Sequence, residues 1–410
     1  MIWVIQLSEQ KRYYILSLIA YAQLFNKVND CFKYKNKVTL GQMAQLFSNS
    51  NIVAEGGVGA FDIKKAFAEI KADNKLSRLI FTNYDNQNAS GNYDGFVAYS
   101  FKDYMNNAYF CFRGSECDTP EGQHDGFLGA DWLDNYTMGI EGKSKQFKDV
   151  KRFVKQNSYN SKNIFVTGHS KGGANGLFAC SNFQNASGIV FNSPGIDEAI
   201  EEKERERLKK ADVINYVSAE DKIGAVMFHS EKRVFCKMNE TYNVAFGNKI
   251  VKVTNYNKAE GMNEFFDMFI SHALQSFYWD SNYNLVLHNR SKSSMIAEAL
   301  TQSVFEWNVK NGKPLDQDLE WIIKNKKNLG NKIEAMAIDE FLKEIIMGLA
   351  LGEEAVLIDF IINCYKTDKD IGEILIVAFK KYMKLANVHN RFIDSIMEKA
   401  NKGNANEDLA

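Results

Sequence analysis

Apolar positions recur at three- and four-residue spacing near both ends of the chain, while the middle reads as short β-branched and aromatic runs. Residues 8–27 predict an opening helix: Ser8 can cap it, and Ile15, Ile19, Ala22 and Phe25 fall on one face. Residues 40–73 continue mostly helical and break at Glu55-Gly56-Gly57-Val58-Gly59, which reads as a loop. Without a preceding strand, that glycine cluster is weak evidence for phosphate binding.

From about residue 76 the pattern changes. Strands are predicted at 79–84, 96–101, 108–113, 164–167, 189–192 and 213–217. The apolar stripe Phe147, Val150 and Val154 and helical patterns over 171–183 and 197–210 fill the later gaps. Strand–helix alternation of this kind implies a mostly parallel sheet covered by helices. The nearly all-charged run 201–210 reads as a solvated helix face.

Beyond about residue 290 the strand signal fades. Ile333, Ala337, Phe341, Ile345 and Leu349 step along one helix, and Ile371, Leu375, Ala378 and Tyr382 along another. The chain has 3 prolines, no internal repeat and no proline-rich linker. The expected organisation is therefore an N-terminal helical segment over 1–75, an α/β core over 76–290, and a C-terminal helical segment over 291–410 packed on that core. The stripes at 15–25, 333–349 and 371–382 are expected to complete the sheet's cover or to roof a site.

Composition narrows the classes. At 410 residues, 45% hydrophobic and 25% charged, the chain is an ordinary globular protein. Its 50 basic and 51 acidic residues give a net charge of −1, which argues against a nucleic-acid partner. No run reaches the roughly 18 apolar residues of a membrane span. The apolar start lacks a basic flank and meets Glu9, Lys11 and Arg12 at once, so neither a signal peptide nor an anchor is expected. That leaves room for transient contact with a membrane surface. The 6 cysteines (31, 111, 117, 180, 236 and 364) have no paired spacing, which suggests free thiols and a cytoplasmic location. No His/Cys/Asp cluster has metal-ligand spacing, and no cofactor is expected.

The chemistry concentrates in Asn163-Ile-Phe-Val-Thr-Gly-His-Ser-Lys-Gly-Gly-Ala-Asn175. Gly168-x-Ser170-x-Gly172 stands directly after a predicted strand and before a predicted helix, the context of a nucleophile elbow in an α/β-hydrolase fold. A serine nucleophile needs a base and an orienting carboxylate, in the chain order nucleophile, acid, histidine. Two strands on from Ser170 stands Ser218-Ala-Glu-Asp-Lys-Ile-Gly224, where Asp221 is the preferred acid over Glu220, with Asp197 as the alternative. Among 6 histidines, His169 lies in the elbow with its ring expected to point away from the serine's site. His124 precedes the elbow, His229 follows Asp221 too closely, and His389 lies in the helical tail. That leaves His272 and His288, with His272 favoured. One oxyanion donor should be the backbone N–H of Lys171; the second should come from Phe110-Cys-Phe-Arg-Gly-Ser115, which ends a strand in a glycine turn.

Phe112-Arg113-Gly114-Ser115, Asp131-Trp132 with Asn135, and Thr167-Gly-His-Ser-Lys-Gly-Gly173 together resemble the class 3 lipases. More closely, the chain resembles a lipase-like bacterial α/β-hydrolase family of largely unassigned function, whose mark is lysine after the nucleophile where lipases usually carry leucine. The resemblance implies a serine esterase or lipase: Ser170 as nucleophile, Asp221 as acid, His272 as base, Ser115 and Lys171 as oxyanion hole. The expected substrates are carboxylic esters, acylglycerols or lysophospholipids foremost. The alternatives are a thioesterase or small-ester esterase, and a catalytically inactive hydrolase fold used as a binding scaffold. Oligomeric state is left open.

Overall fold

The structure is a computed structural model that describes residues 7–22, 37–50, 57–87, 95–115, 142–246, 249–254 and 270–311, with positions 54, 134, 135, 138, 377 and 381 besides. The described residues fall into two compact units. One runs to Gly224 and resumes over Phe228–Asn289; the other joins Ala225–Met227 to residues from Arg290 onward.

The first unit is built on a seven-stranded sheet: β1 (Ile80–Asn86), β2 (Val97–Lys102), β3 (Ala108–Phe112), β4 (Ile164–His169), β5 (Ala186–Phe191), β6 (Val213–Ser218) and β7 (Lys232–Cys236). The strands lie side by side in chain order. The β1–β2 and β2–β3 pairs are antiparallel, and every pair from β3 to β7 is parallel. This is an α/β fold of hydrolase type. The sixth predicted strand is thus not the last. Lys232–Cys236 is a half-exposed edge strand whose short, charged sequence hides the pattern.

Sequential order has a consequence. Right-handed crossovers that always step the same way place their helices on one face. Those helices are α4 (Gln146–Asn157), α5 (Lys171–Asn182) and α6 (Glu202–Leu208), and their core joins Phe147, Val150, Leu177 and Leu208 to Phe110, Phe112, Val166 and Val190. The opposite face needs a cover from elsewhere. It is supplied by α1 (Glu9–Ile19), α2 (Leu40–Phe47) and α3 (Ala60–Ala72), whose Ile15, Ile19, Met43 and Phe67 pack with Val97, Tyr99, Cys111 and Phe191. Val97 and Tyr99 point one way and Ala98 the other, the period-two alternation of a sheet buried on both faces.

The ends of these helices follow from local chemistry. Ser8 Oγ accepts the Lys11 N–H at 3.1 Å and starts α1. The helix ends at Ile19, earlier than the apolar spacing predicts, and Ala22 already pairs with Ala54 in an isolated β-bridge. Thr39 and Gln42 cap α2 reciprocally. In the glycine loop before α3, Asp62 Oδ2 accepts the Gly59 N–H at 2.9 Å, and Gln275 Nε2 donates to that same carboxylate at 2.8 Å. The Gly59 N–H is thus already taken by a side-chain carboxylate.

After β7, β8 (Thr241–Phe246) and β9 (Lys249–Thr254) form an antiparallel ribbon that the sequence reading leaves out. Tyr242, Val244 and Val253 pack its buried side against Ile270 and Ala273.

In the second unit, α7 (Lys292–Asn311) carries Thr301 and Gln302, which hydrogen-bond the backbone of Met227. The stripes at 333–349 and 371–382 lie outside the described residues, apart from Val377 and Lys381. No described helix is long and apolar enough to cross a membrane.

Candidate active site

The turn between β4 and α5 carries the first component. Ser170 sits at φ 58° and ψ −128°. For a residue with a side chain this conformation costs about 1–3 kcal/mol and persists only where neighbours enforce it. Here its N–H donates to Phe191 O at 3.0 Å on the next strand, and its carbonyl accepts the Ala174 N–H at 3.1 Å inside the helix. The glycine two positions on is a matter of space: a Cβ on Gly172 would lie 2.2 Å from Phe112 O. Ser170 is itself half-buried, at the carboxyl end of a central parallel strand, where open sheets place their ligands.

Asp221 follows β6 by three residues and is fully buried. Its carboxylate accepts the Ile223 N–H at 2.9 Å and the Gly224 N–H at 3.0 Å. Both oxygens also lie 3.1 Å from His272 Nδ1. With the carboxylate on Nδ1, the imidazole carries its proton there, and Nε2 is the basic nitrogen. That Nε2 is buried and has no hydrogen-bond partner. A buried ring nitrogen without a partner is costly and calls for an explanation.

A second layer fixes where this imidazole stands. His272 O accepts from His169 Nε2 and from Asn192 Nδ2, each at 2.7 Å. The rings of His169 and His272 lie 4.7 Å apart. Since His169 Nε2 donates to a carbonyl, its Nδ1 must accept, and it does so from Tyr21 Oη–H at 2.7 Å. Burial, with His272 beside it, holds the His169 pKa well below the ordinary histidine value, so the ring stays neutral. His169 does project into the face covered by α1, as alternation from Thr167 requires, yet it is not idle there. Tyr21 on His169 and Asn192 on the His272 carbonyl escape the sequence reading, because contacts across 148 and 80 residues leave no local trace.

The segment after β3, the expected source of an oxyanion donor, meets this turn. A Cβ on Gly114 would lie 3.2 Å from Ser170 Cβ and 2.6 Å from His169 O, so this backbone runs against the elbow itself. Ser115 follows, and its Oγ accepts from Asn135 Nδ2 at 2.7 Å. Lys171 opens α5, where the first backbone N–H groups have no partner inside the helix. Its side chain turns inward and pairs with Asp134 at 2.6 Å, the two being 1% and 2% exposed. Asp131 and Trp132 lie outside the described residues.

The competing candidates are engaged elsewhere. His288 is exposed, its Nδ1 against Asn289 O. Asp197 accepts from Ser230 Oγ at 2.6 Å, and burial raises its pKa. His229 pairs with Glu231 at 2.7 Å; burial raises the Glu231 pKa, but His229 and Asn215 outweigh it and leave the carboxyl below its ordinary value. Glu220 is half-buried beside Asp221. His124 and His389 lie outside the described residues. Cys111, Cys180 and Cys236 are buried free thiols, and the other three cysteines are outside the described residues.

Comparison with known proteins adds a family. No curated protein matches the chain. Among solved structures, it is similar to the Lip2 lipase from Yarrowia lipolytica, with 12% identity, covering 43% of this chain and 72% of that one, at a TM-score of 0.24. The Mbeg1-like family matches residues 70–280, just over half of the chain, a span that holds Ser115, Ser170, Asp221 and His272. The chain belongs to the Mbeg1-like family, a lipase-like family.

Proposed function

We propose that the protein is a serine hydrolase of carboxylic esters, acting through an acyl-enzyme on Ser170 with His272 as base and Asp221 as orienting acid. The observation that carries this reading is the Asp221–His272 pair: a buried carboxylate on Nδ1 at 3.1 Å, with a buried, unpartnered Nε2 on the other side of the ring. His272 Nε2 takes the hydroxyl proton as Ser170 Oγ attacks the ester carbonyl. The tetrahedral oxyanion is met by the Lys171 N–H and by Ser115, each such donor typically giving about 3 kcal/mol of transition-state stabilisation. His272 then passes the proton to the departing alkoxide, and a water activated by the same nitrogen cleaves the acyl-enzyme. Asp221 keeps the proton on Nδ1 throughout.

Acylglycerols and lysophospholipids are the substrates we favour, on the lipase-like family. The buried free thiols favour a reducing compartment, and we place the protein in the cytoplasm. A chain-length series of p-nitrophenyl esters tests the reading. The wild type should hydrolyse them with a preference for medium or long acyl chains. Ser170→Ala should lose on the order of a million-fold in kcat while keeping its fold. Preference for acetyl or thioester substrates would move the protein to the small-ester or thioesterase class. Hydrolysis undiminished in Ser170→Ala would remove the nucleophile.

A further inference from the structure

Lysine after the nucleophile is a feature the reaction above uses only through its backbone. Its side chain is 1% exposed, and its ammonium is fully engaged: Asp134 Oδ2 at 2.6 Å, Ser144 Oγ at 3.1 Å and Met138 Sδ at 3.5 Å. The Asp134 carboxylate in turn accepts the Ser144 hydroxyl at 2.6 Å and the Lys145 N–H at 2.5 Å. A cation at the first turn of a helix opposes the helix dipole, and burying an ion pair generally stabilises little. Stability is therefore a poor account of it, and its geometry is more informative.

The residue after Asp134 is Asn135, whose Nδ2 donates to Ser115 Oγ at 2.7 Å. With that oxygen accepting from Asn135, the Ser115 hydroxyl proton is left to point elsewhere. We propose that the Lys171 side chain is a positioning residue for the oxyanion hole, acting through the Asp134 carboxylate on Asn135 and so on Ser115. One residue then governs both donors: its N–H supplies the first, and its ammonium anchors the chain segment that orients the second. The inference rests on the hydrolase reading, and its test separates the two.

The test is the rate at which a fluorophosphonate labels Ser170, read alongside thermal melting. Lys171→Met alone leaves a buried carboxylate unpaired and endangers the fold, so the double variant Lys171→Met/Asp134→Asn is used. It removes both charges and keeps an acceptor for the Lys145 N–H. Labelling should slow roughly tenfold or more, toward the hundred-fold or larger loss typical of a missing oxyanion donor. Adding Ser115→Ala to the double variant should slow it no further than Ser115→Ala does alone, because the two act in one chain of contacts. Should the double variant not fold, Lys171→Gln/Asp134→Asn, which keeps a neutral polar pair in place of the two charges, is read against Ser115→Ala in the same way. Labelling at the wild-type rate, whatever the melting temperature, overturns the inference and leaves the hydrolase reading standing. So do losses that multiply in the combined variant. A wild-type protein that takes no label overturns both.

Discussion

The two faces of the central sheet are covered in different chemical styles. On the crossover side the contacts are mostly apolar: Phe147 stacks on Phe178 at 4.2 Å, Phe110 meets Phe153 edge-on at 5.8 Å, and the Asn175–Gln146 bond and the Lys171–Asp134 ion pair are polar exceptions. On the α1 side a line of polar contacts crosses between helix and sheet. Gln10 reaches Tyr216, Ser17 reaches Thr167 and Tyr21 reaches His169, each at 2.7 Å. Burial against apolar partners is tolerant of direction, whereas a hydrogen bond fixes position and orientation. The crossover helices therefore hold the sheet together, while the amino-terminal layer also sets the frame in which His272 stands.

On the crossover face, Phe153→Ala should produce the largest change in stability. Phe153 is buried on α4, away from the elbow, and truncation of such a side chain costs about 3–5 kcal/mol. Urea unfolding should register that loss, while kcat per folded molecule stays at the wild-type value. A fall in kcat would show that the two faces do not divide the work as argued.

On the other face, Lys11 is the next largest effect. Its pKa is lowered to about 8 by burial, against a raising contribution from Glu69. The folded state thus prefers the neutral amine, and between pH 8 and about 10.5 the unfolded chain binds more protons. Stability should rise with pH over that window by on the order of 3 kcal/mol, until the tyrosines intervene. Burial raises the pKa of Tyr13 and Tyr14, so unfolded-state ionisation reverses the trend above about pH 10. Lys11→Met should be more stable at pH 7 and lose the rise between pH 8 and 10 in a melting series. A rise that persists in the variant would assign it to another group.

Tyr21→Phe is the smallest in stability and the most telling about the site. Loss of one buried hydrogen bond should cost about 1 kcal/mol. With its Nδ1 partner gone, His169 is freer to change tautomer and release the His272 carbonyl, so kcat should fall on the order of tenfold with KM kept. A variant that loses stability alone would make the amino-terminal layer a cover and nothing more.

Much of this architecture is legible in the sequence because it is written locally. Gly168-x-Ser170-x-Gly172 shows the elbow because one of its demands is local, a Cβ on Gly168 falling 2.3 Å from Gly172 O, although the demand on Gly172 comes from Phe112 on the neighbouring strand. The strands up to β6 are placed near their observed positions, β5 less well at its start, because β-branched and aromatic runs bounded by turns are short-range signals. Lys232–Cys236 is not legible: an edge strand is half solvated and carries charges where a buried one would be apolar. The Asp221–His272 pair joins residues 51 apart and is approached only by counting strands and histidines. Tyr21, Asn192 and Asp134 leave no trace at all, because what selects them is a partner from a distant element. The helical pattern over 197–210 shows the reverse error, although its charged run at 201–210 is a largely exposed face as read. Its helix spans only Glu202–Leu208, with the turn before it taken up by a short 3-10 segment at Asp197–Ala199.

The central claim is that Ser170 is a nucleophile activated by His272. The most direct measurement is to treat wild-type protein and His272→Ala with a fluorophosphonate and locate the adduct by peptide mass spectrometry. The account expects a single adduct on Ser170 in the wild type, and a labelling rate lower by several orders of magnitude in His272→Ala, because nucleophile and base act as a unit. An adduct on another serine, or equal labelling of Ser170 in both proteins, would contradict it.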